Sequence, residues 1–143
     1  TLNGKVRGSE NSLEISSVTQ VLHRIVTCPA NQDTTVANFH AATNTSDNAL
    51  DVEDAKYIRV TNLDASNSIN LSLQIDSAED DSAAAESATI LVAAGRSFIM
   101  GAPSDGLAVS DANATIVTTL HNLESILVDP GSNAISVEVF IAS

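Results

Sequence analysis

Tryptophan is absent from this chain, and aromatic residues are 3% of its 143 positions, with Phe39, Tyr57, Phe98 and Phe140 the full set. The core must therefore be built from Val, Ile, Leu and Ala, and β-branched residues suit the pleated surface of strands. The same shortage counts against stacking surfaces for sugars or nucleobases, which need exposed rings. Cysteine occurs once, as Cys28. No disulfide can close within the chain, and a cysteine-rich zinc site is excluded. Cys28 follows an apolar run and precedes Pro29, the setting of a buried structural thiol. Positive charge is scarce too: 6 Lys and Arg stand against 18 Asp and Glu, for a net charge of −12. Such a surface repels duplex DNA and anionic membranes, so neither nucleic acid nor membrane is an expected partner. Two readings fit the acidity: solubility, in a salty medium that screens self-repulsion, and an acidic face aimed at a basic partner. No stretch reaches the roughly 18 apolar residues that read as a membrane helix. No charged start with an apolar segment marks a secretory signal. The chain opens at Thr1, which fits removal of an initiator Met or of a leader.

What is present is strand pattern. Hydrophobic residues are 43% of the chain, enough for one domain with a real core. The stretch Lys56 to Asp76 reads as a hairpin, two strands joined by the turn-forming residues Asp64 to Ser68. In its second arm Ile69, Leu71, Leu73 and Ile75 alternate with Asn70, Ser72, Gln74 and Asp76, which predicts one buried and one wet face. Val18 to Cys28 predicts a long strand with Val21, His23, Ile25 and Thr27 on one face and Leu22, Arg24, Val26 and Cys28 on the other. Apolar residues on both faces suggest cover from both sides, as at a subunit contact. Pro29 ends it. Further strands are expected at Leu13 to Ile15, Thr34 to Ala42, Ala88 to Met100 with a break at Ala94-Gly95, Gly106 to Ser110, Ala114 to Leu120, Leu123 to Asp129 and Ala134 to Ala142. In the last, Ile135, Val137, Val139 and Ile141 share a face. Thr43 to Asp54 and Ser77 to Ser87 read as loops. Short strands between frequent turn signals, with no long helical period, indicate an all-β antiparallel sandwich. Eight or so strands in two layers make it jelly-roll-like, and the Cys…Trp…Cys framework of an immunoglobulin sandwich is absent. Residues 1–18 read as an extended N-terminal arm carrying Lys5 and Arg7, and 19–143 as one sandwich domain.

No constellation for catalysis emerges, and the chain is not expected to be an enzyme. His23, His40 and His121 lack metal-ligand spacing, and His23 sits mid-strand as a structural residue. There is no G-x-S-x-G. Ser97, after Gly95-Arg96, leads into an apolar strand. Acidic clusters at Glu79-Asp80-Asp81 and at Asp47 to Asp54 lack the calcium-loop pattern and read as solvated loops. No metal or cofactor is expected.

Four segments resemble a module found in virion proteins of tailed bacteriophages: YIRVTNLDASN (Tyr57 to Asn67), INLSLQI (Ile69 to Ile75), LVAAGRSFIMG (Leu91 to Gly101) and ISVEVFIA (Ile135 to Ala142). The resemblance covers about residues 56–142. It implies a β-sandwich used in assembly, as capsid decoration (cement) or tail-associated parts, on the head surface of a virion and made in the host cytoplasm. Its expected partners are the major capsid protein and further copies of itself, a cyclic homotrimer by that likeness. On this reading the contact residues are Lys5 and Arg7 of the arm and the wet face Asn70, Ser72 and Gln74. The alternative is a tail-fibre or secreted carbohydrate-binding sandwich.

Overall fold

A computed structural model of the protein describes residues 12–40, 50–76, 86–110 and 116–143. Among these residues there are nine strands and no helix: β1 Val21–Cys28, β2 Thr34–His40, β3 Leu50–Asp51, β4 Tyr57–Asn62, β5 Ile69–Asp76, β6 Glu86–Val92, β7 Ser97–Met100, β8 Asn122–Asp129 and β9 Ile135–Ala142. They form a four-stranded sheet in the order β1-β9-β4-β7 and a five-stranded sheet in the order β3-β2-β8-β5-β6. Every pairing is antiparallel except the two-residue contact of β2 with β3. The pairs are nested: β5 with β6, outside them β4 with β7, then β2 with β8, then β1 with β9. One long folded-back ribbon is thus rolled up so that successive pairs fall in opposite sheets, which is a jelly roll. The all-β sandwich expected from the strand pattern is therefore the fold observed.

Alternation fills the space between the sheets. Ile135, Val137, Val139 and Ile141 of β9 and Ile58 and Val60 of β4 face Ile69, Leu71, Leu73 and Ile75 of β5 and Leu123, Ile126 and Val128 of β8, all buried. Two bulges interrupt the period of two. On β2 the register slips between Thr35 and Ala37, so that Val36 and Ala37 are both buried. An extra residue in one strand does this by putting two residues opposite one. On β8 a slip opposite Gln74 and Ile75 separates the inward Leu123 and Ile126 by three positions. Arg24, on the inward face of β1, donates to the carbonyl of Val36 at the first bulge, a carbonyl the irregular ladder leaves available.

Several expectations are corrected. The two arms of Lys56 to Asp76 are strands, but they do not pair: β4 belongs to one sheet and β5 to the other. The turn between them crosses the sandwich. Two amphipathic strands after a turn can bury their apolar faces side by side or face to face, and periodicity is the same in both. The break at Gly95, where φ is +66°, likewise carries the chain from β6 in one sheet to β7 in the other. Positive φ is what glycine adopts without steric cost. Leu13 to Ile15 form no strand, and Leu13 is 76% exposed, so nothing buries its apolar side. The weak strands expected after Gly106 reduce to a single bridge between Leu107 and His121; residues 111–115 lie outside the described residues. The loop expected up to Asp54 contains β3, and β6 starts at Glu86. Of the N-terminal arm, 1–11 lie outside the described residues. Thr19 and Gln20 prolong the β1–β9 ladder through bonds with Ser143.

Candidate functional site

A two-sheet sandwich leaves each sheet one outer face, and here the two faces differ in chemistry. The alternation that sends the odd residues of β9 inward turns Ser136, Glu138 and Phe140 outward. Val21, His23, Ile25 and Thr27 of β1 flank them on one side, and Tyr57, Arg59 and Thr61 of β4 on the other. Ile99 of β7 lies opposite Arg59 in the next strand. Val21 is 53% exposed, Ile25 64% and Ile99 57%, so three aliphatic side chains on one sheet face solvent.

Phe140 sits at the centre of this face. Its ring centroid lies 6.1 Å from that of Tyr57, edge-on, and 6.0 Å from that of His23. The Arg59 guanidinium carbon is 5.6 Å from the same centroid, within cation–π range. Glu138 joins the polar members: one carboxylate oxygen is 2.7 Å from His23 Nε2 and the other 3.4 Å from Arg59 Nη2. Pairs this exposed contribute little to stability, but they hold the side chains in one arrangement. Arg59 Nε is buried and has no hydrogen-bond acceptor among the described residues.

The outer face of the five-stranded sheet is polar along its middle, with Leu91 of β6, 64% exposed, beside Asn70 at its edge. Asn70, Ser72 and Gln74 form its middle row, with Thr89 of β6 beside Ser72 and Leu127 of β8 on the other side. Gln74 Nε2 donates to Ser72 Oγ at 2.7 Å. With Asp33 and Asp129 these residues line an open depression of about 330 Å³. The wet face expected from the alternation is thus present as a row. Lys5 and Arg7, the other expected contact residues, lie outside the described residues.

Charge is divided between the sheets. The five-stranded sheet contains Asp51, Asp76, Glu86, Glu124 and Asp129 and no Lys or Arg; the four-stranded sheet contains Arg24 and Arg59 against Glu138. Lys56 and Arg96 stand immediately before β4 and β7, so every described cation belongs to the four-stranded side. The aromatic cluster was not foreseen as a site. Its signal lay in the two apolar phases of β1 and in Phe140, a ring at the polar phase of β9.

The remaining chemical candidates do not converge. His23 lies in one sheet, His40 in the other, and His121 at the bridge to Leu107. Ser97 Oγ pairs with Thr61 Oγ1 at 2.8 Å. No group of three His, Cys, Asp or Glu side chains gathers among the described residues. In the Asp47 to Asp54 cluster, Asp51 accepts the backbone N–H of Glu53 at 2.9 Å, an ordinary turn bond; Asp47 and Glu79 to Asp81 lie outside the described residues. Cys28 is 0% exposed. Burial pushes its thiol pKa up, against a smaller lowering from a hydrogen bond with Thr34, so it is a core residue.

No protein-family model and no curated protein matches the chain. Among solved structures it is similar to one described under "Bacillus endospore appendages form a novel family of disulfide-linked pili", at 14% identity and a TM-score of 0.40, covering 92% of this chain and 95% of that one.

Proposed function

We propose that this chain is a non-enzymatic structural protein of a virion, a sandwich that decorates the head surface and bridges neighbouring capsid subunits. The observation that carries the reading is the outer face of the four-stranded sheet. Exposed aliphatics surrounding paired aromatics and an arginine are the composition of contact surfaces. The likeness of residues 56–142 to tailed-bacteriophage virion modules supplies the assembly. Bridging would raise the cost of separating capsid subunits, and many weak copies on a lattice act with avidity. The major capsid protein is the partner on this reading, with the N-terminal arm and the edge strands β1 and β6 as contact elements, since an edge strand offers unpaired backbone groups to another chain. Electron microscopy of particles assembled with and without the chain tests it: added density at capsid junctions and heads that resist heating are expected. Bare heads of unchanged heat resistance would reject it.

The polar depression favours a second reading, a carbohydrate-binding sandwich of a tail fibre or a secreted protein. Asn70, Ser72, Gln74, Asp33 and Asp129 can exchange hydrogen bonds with hydroxyls. A glycan array with reproducible hits abolished by Ser72→Arg supports that reading, and a blank array removes it.

A further inference from the structure

The two outer faces of the sandwich complement one another, and we infer that copies of this chain associate front to back, the aromatic face of one seated on the polar face of the next. The inference rests on the assembly reading and names the occupant of its contact face.

Three observations converge. First, the front displays Val21, Ile25 and Ile99 more than half exposed around Phe140 and Tyr57, an apolar area that the described residues leave uncovered. Second, charge is segregated by sheet: Arg59 lies on the front with Lys56 and Arg96 at its margin, whereas the back has only acids in its strands. Two like faces would set Arg59 of one copy against a front whose one acid, Glu138, is already paired with His23 and Arg59. A front on a back sets cations against Asp33 and Asp129. Third, the back holds an open depression lined by Asp33 and Asp129 together with Asn70, Ser72, Gln74 and Thr89, acceptors that a cation from a neighbouring front can meet.

The geometry also sets the form and strength of the assembly. Front and back lie on opposite sides of one sandwich, so the contact repeats along a line and does not close, as heterologous contacts that miss ring closure do. Four strands of eight, eight, six and four residues, about 4.8 Å apart with about 3.3 Å per residue, span roughly 400 Å². That is below the ~800 Å² per partner of a standard interface, so each contact is weak and rows grow with concentration.

Analytical ultracentrifugation of the purified chain tests this. Wild type should pass beyond dimer as concentration rises toward about 1 mM. Association should weaken between about 0.15 M and 1 M salt, where the Debye length falls from ~8 Å to ~3 Å and contact pairs are screened. Arg59→Glu removes a front and Ser72→Arg removes a back, each leaving the other intact, and each should weaken association at least tenfold. Mixed in equal amounts they should form a heterodimer and nothing larger. Ile25→Glu and Thr89→Arg repeat the front and back tests should either first variant melt early. A chain that stays monomeric, a closed dimer or trimer that persists in Ser72→Arg, or a mixture that stays monomeric overturns the inference. Microscopy of decorated particles reads the assembly proposal independently of all of these.

Discussion

Asn62 is fully buried, and its side chain is fully engaged. Nδ2 donates to the carbonyls of Asn67 at 2.8 Å and Val92 at 3.2 Å, and Oδ1 accepts the amide of Asp64 at 2.9 Å. One side chain thus ties the end of β4 to the turn that follows and to β6 in the opposite sheet. Replacing it with Ala strands those groups away from water, which costs about 1–3 kcal/mol for each buried group left unpaired. Asn62→Ala should lower unfolding stability by about 2–4 kcal/mol in urea titration, and a loss under about 0.5 kcal/mol would contradict this assignment. Cys28 is a second residue-scale test. Its thiol is inaccessible and its pKa is raised by burial, so two barriers oppose thiolate chemistry. A chromogenic thiol reagent should react with it only after denaturant unfolds the chain. Prompt labelling of the native protein would show that the end of β1 opens. Because the folded pKa lies above the unfolded one, this thiol's contribution is fully present below the ordinary thiol range and is lost as pH rises through it.

At the scale of elements, the turn between β4 and β5 decides the topology. Asp64 Oδ1 accepts the backbone amides of Ser66 at 2.7 Å and Asn67 at 2.6 Å. Those amides, Asn67 first, hold the carboxyl below its ordinary pKa. The folded chain therefore binds this proton more weakly than the unfolded chain. The stabilisation is complete above the ordinary carboxylate range and is lost as pH falls through the folded value. Asp64→Ala should flatten the acid limb of a stability-against-pH curve; an unchanged limb would assign that limb to other carboxylates. The Asx-rich turn was readable from Asp64 to Asn67, and so were the inward faces of β5 and β9, because alternation reports burial directly. The crossing itself was not, since Ile58 and Val60 present the same pattern whether β5 pairs with β4 or stacks over it. The bulges hid for a related reason: Val36 beside Ala37, and Leu123 three places from Ile126, break the period that sequence reading relies on. The contact face was half legible, as an unexplained second apolar phase on β1, while its assembly around Phe140 required β4 and β9 to be set side by side.

For the whole molecule, the nested pairing makes nearly every ladder non-local. The outermost, β1 with β9, joins residues more than a hundred positions apart, and such topologies fold in milliseconds to seconds or slower. Stopped-flow refolding monitored by far-UV circular dichroism should show its main phase there, and completion within tens of microseconds would be incompatible with this order of strands. The charge of −12 acts over the same scale. Raising salt from about 0.01 M to 0.15 M shortens the Debye length from ~30 Å to ~8 Å, so the melting temperature should rise as acidic self-repulsion is screened. A fall would mean that attractive pairs dominate.

The outermost ladder has a mechanical consequence. Val21 lies opposite Ala142 at one end and Cys28 opposite Ile135 at the other. Tension applied at Val21 and Ala142 therefore loads the rungs singly, opening the ladder like a zipper. Tension applied at Val21 and Ile135 would load all eight rungs together in shear. A copy held at Val21 and Ala142 would yield at low force, and a copy held at Val21 and Ile135 would not. Forced unfolding, which follows the unfolding rate under load, should rank the two attachments in that order.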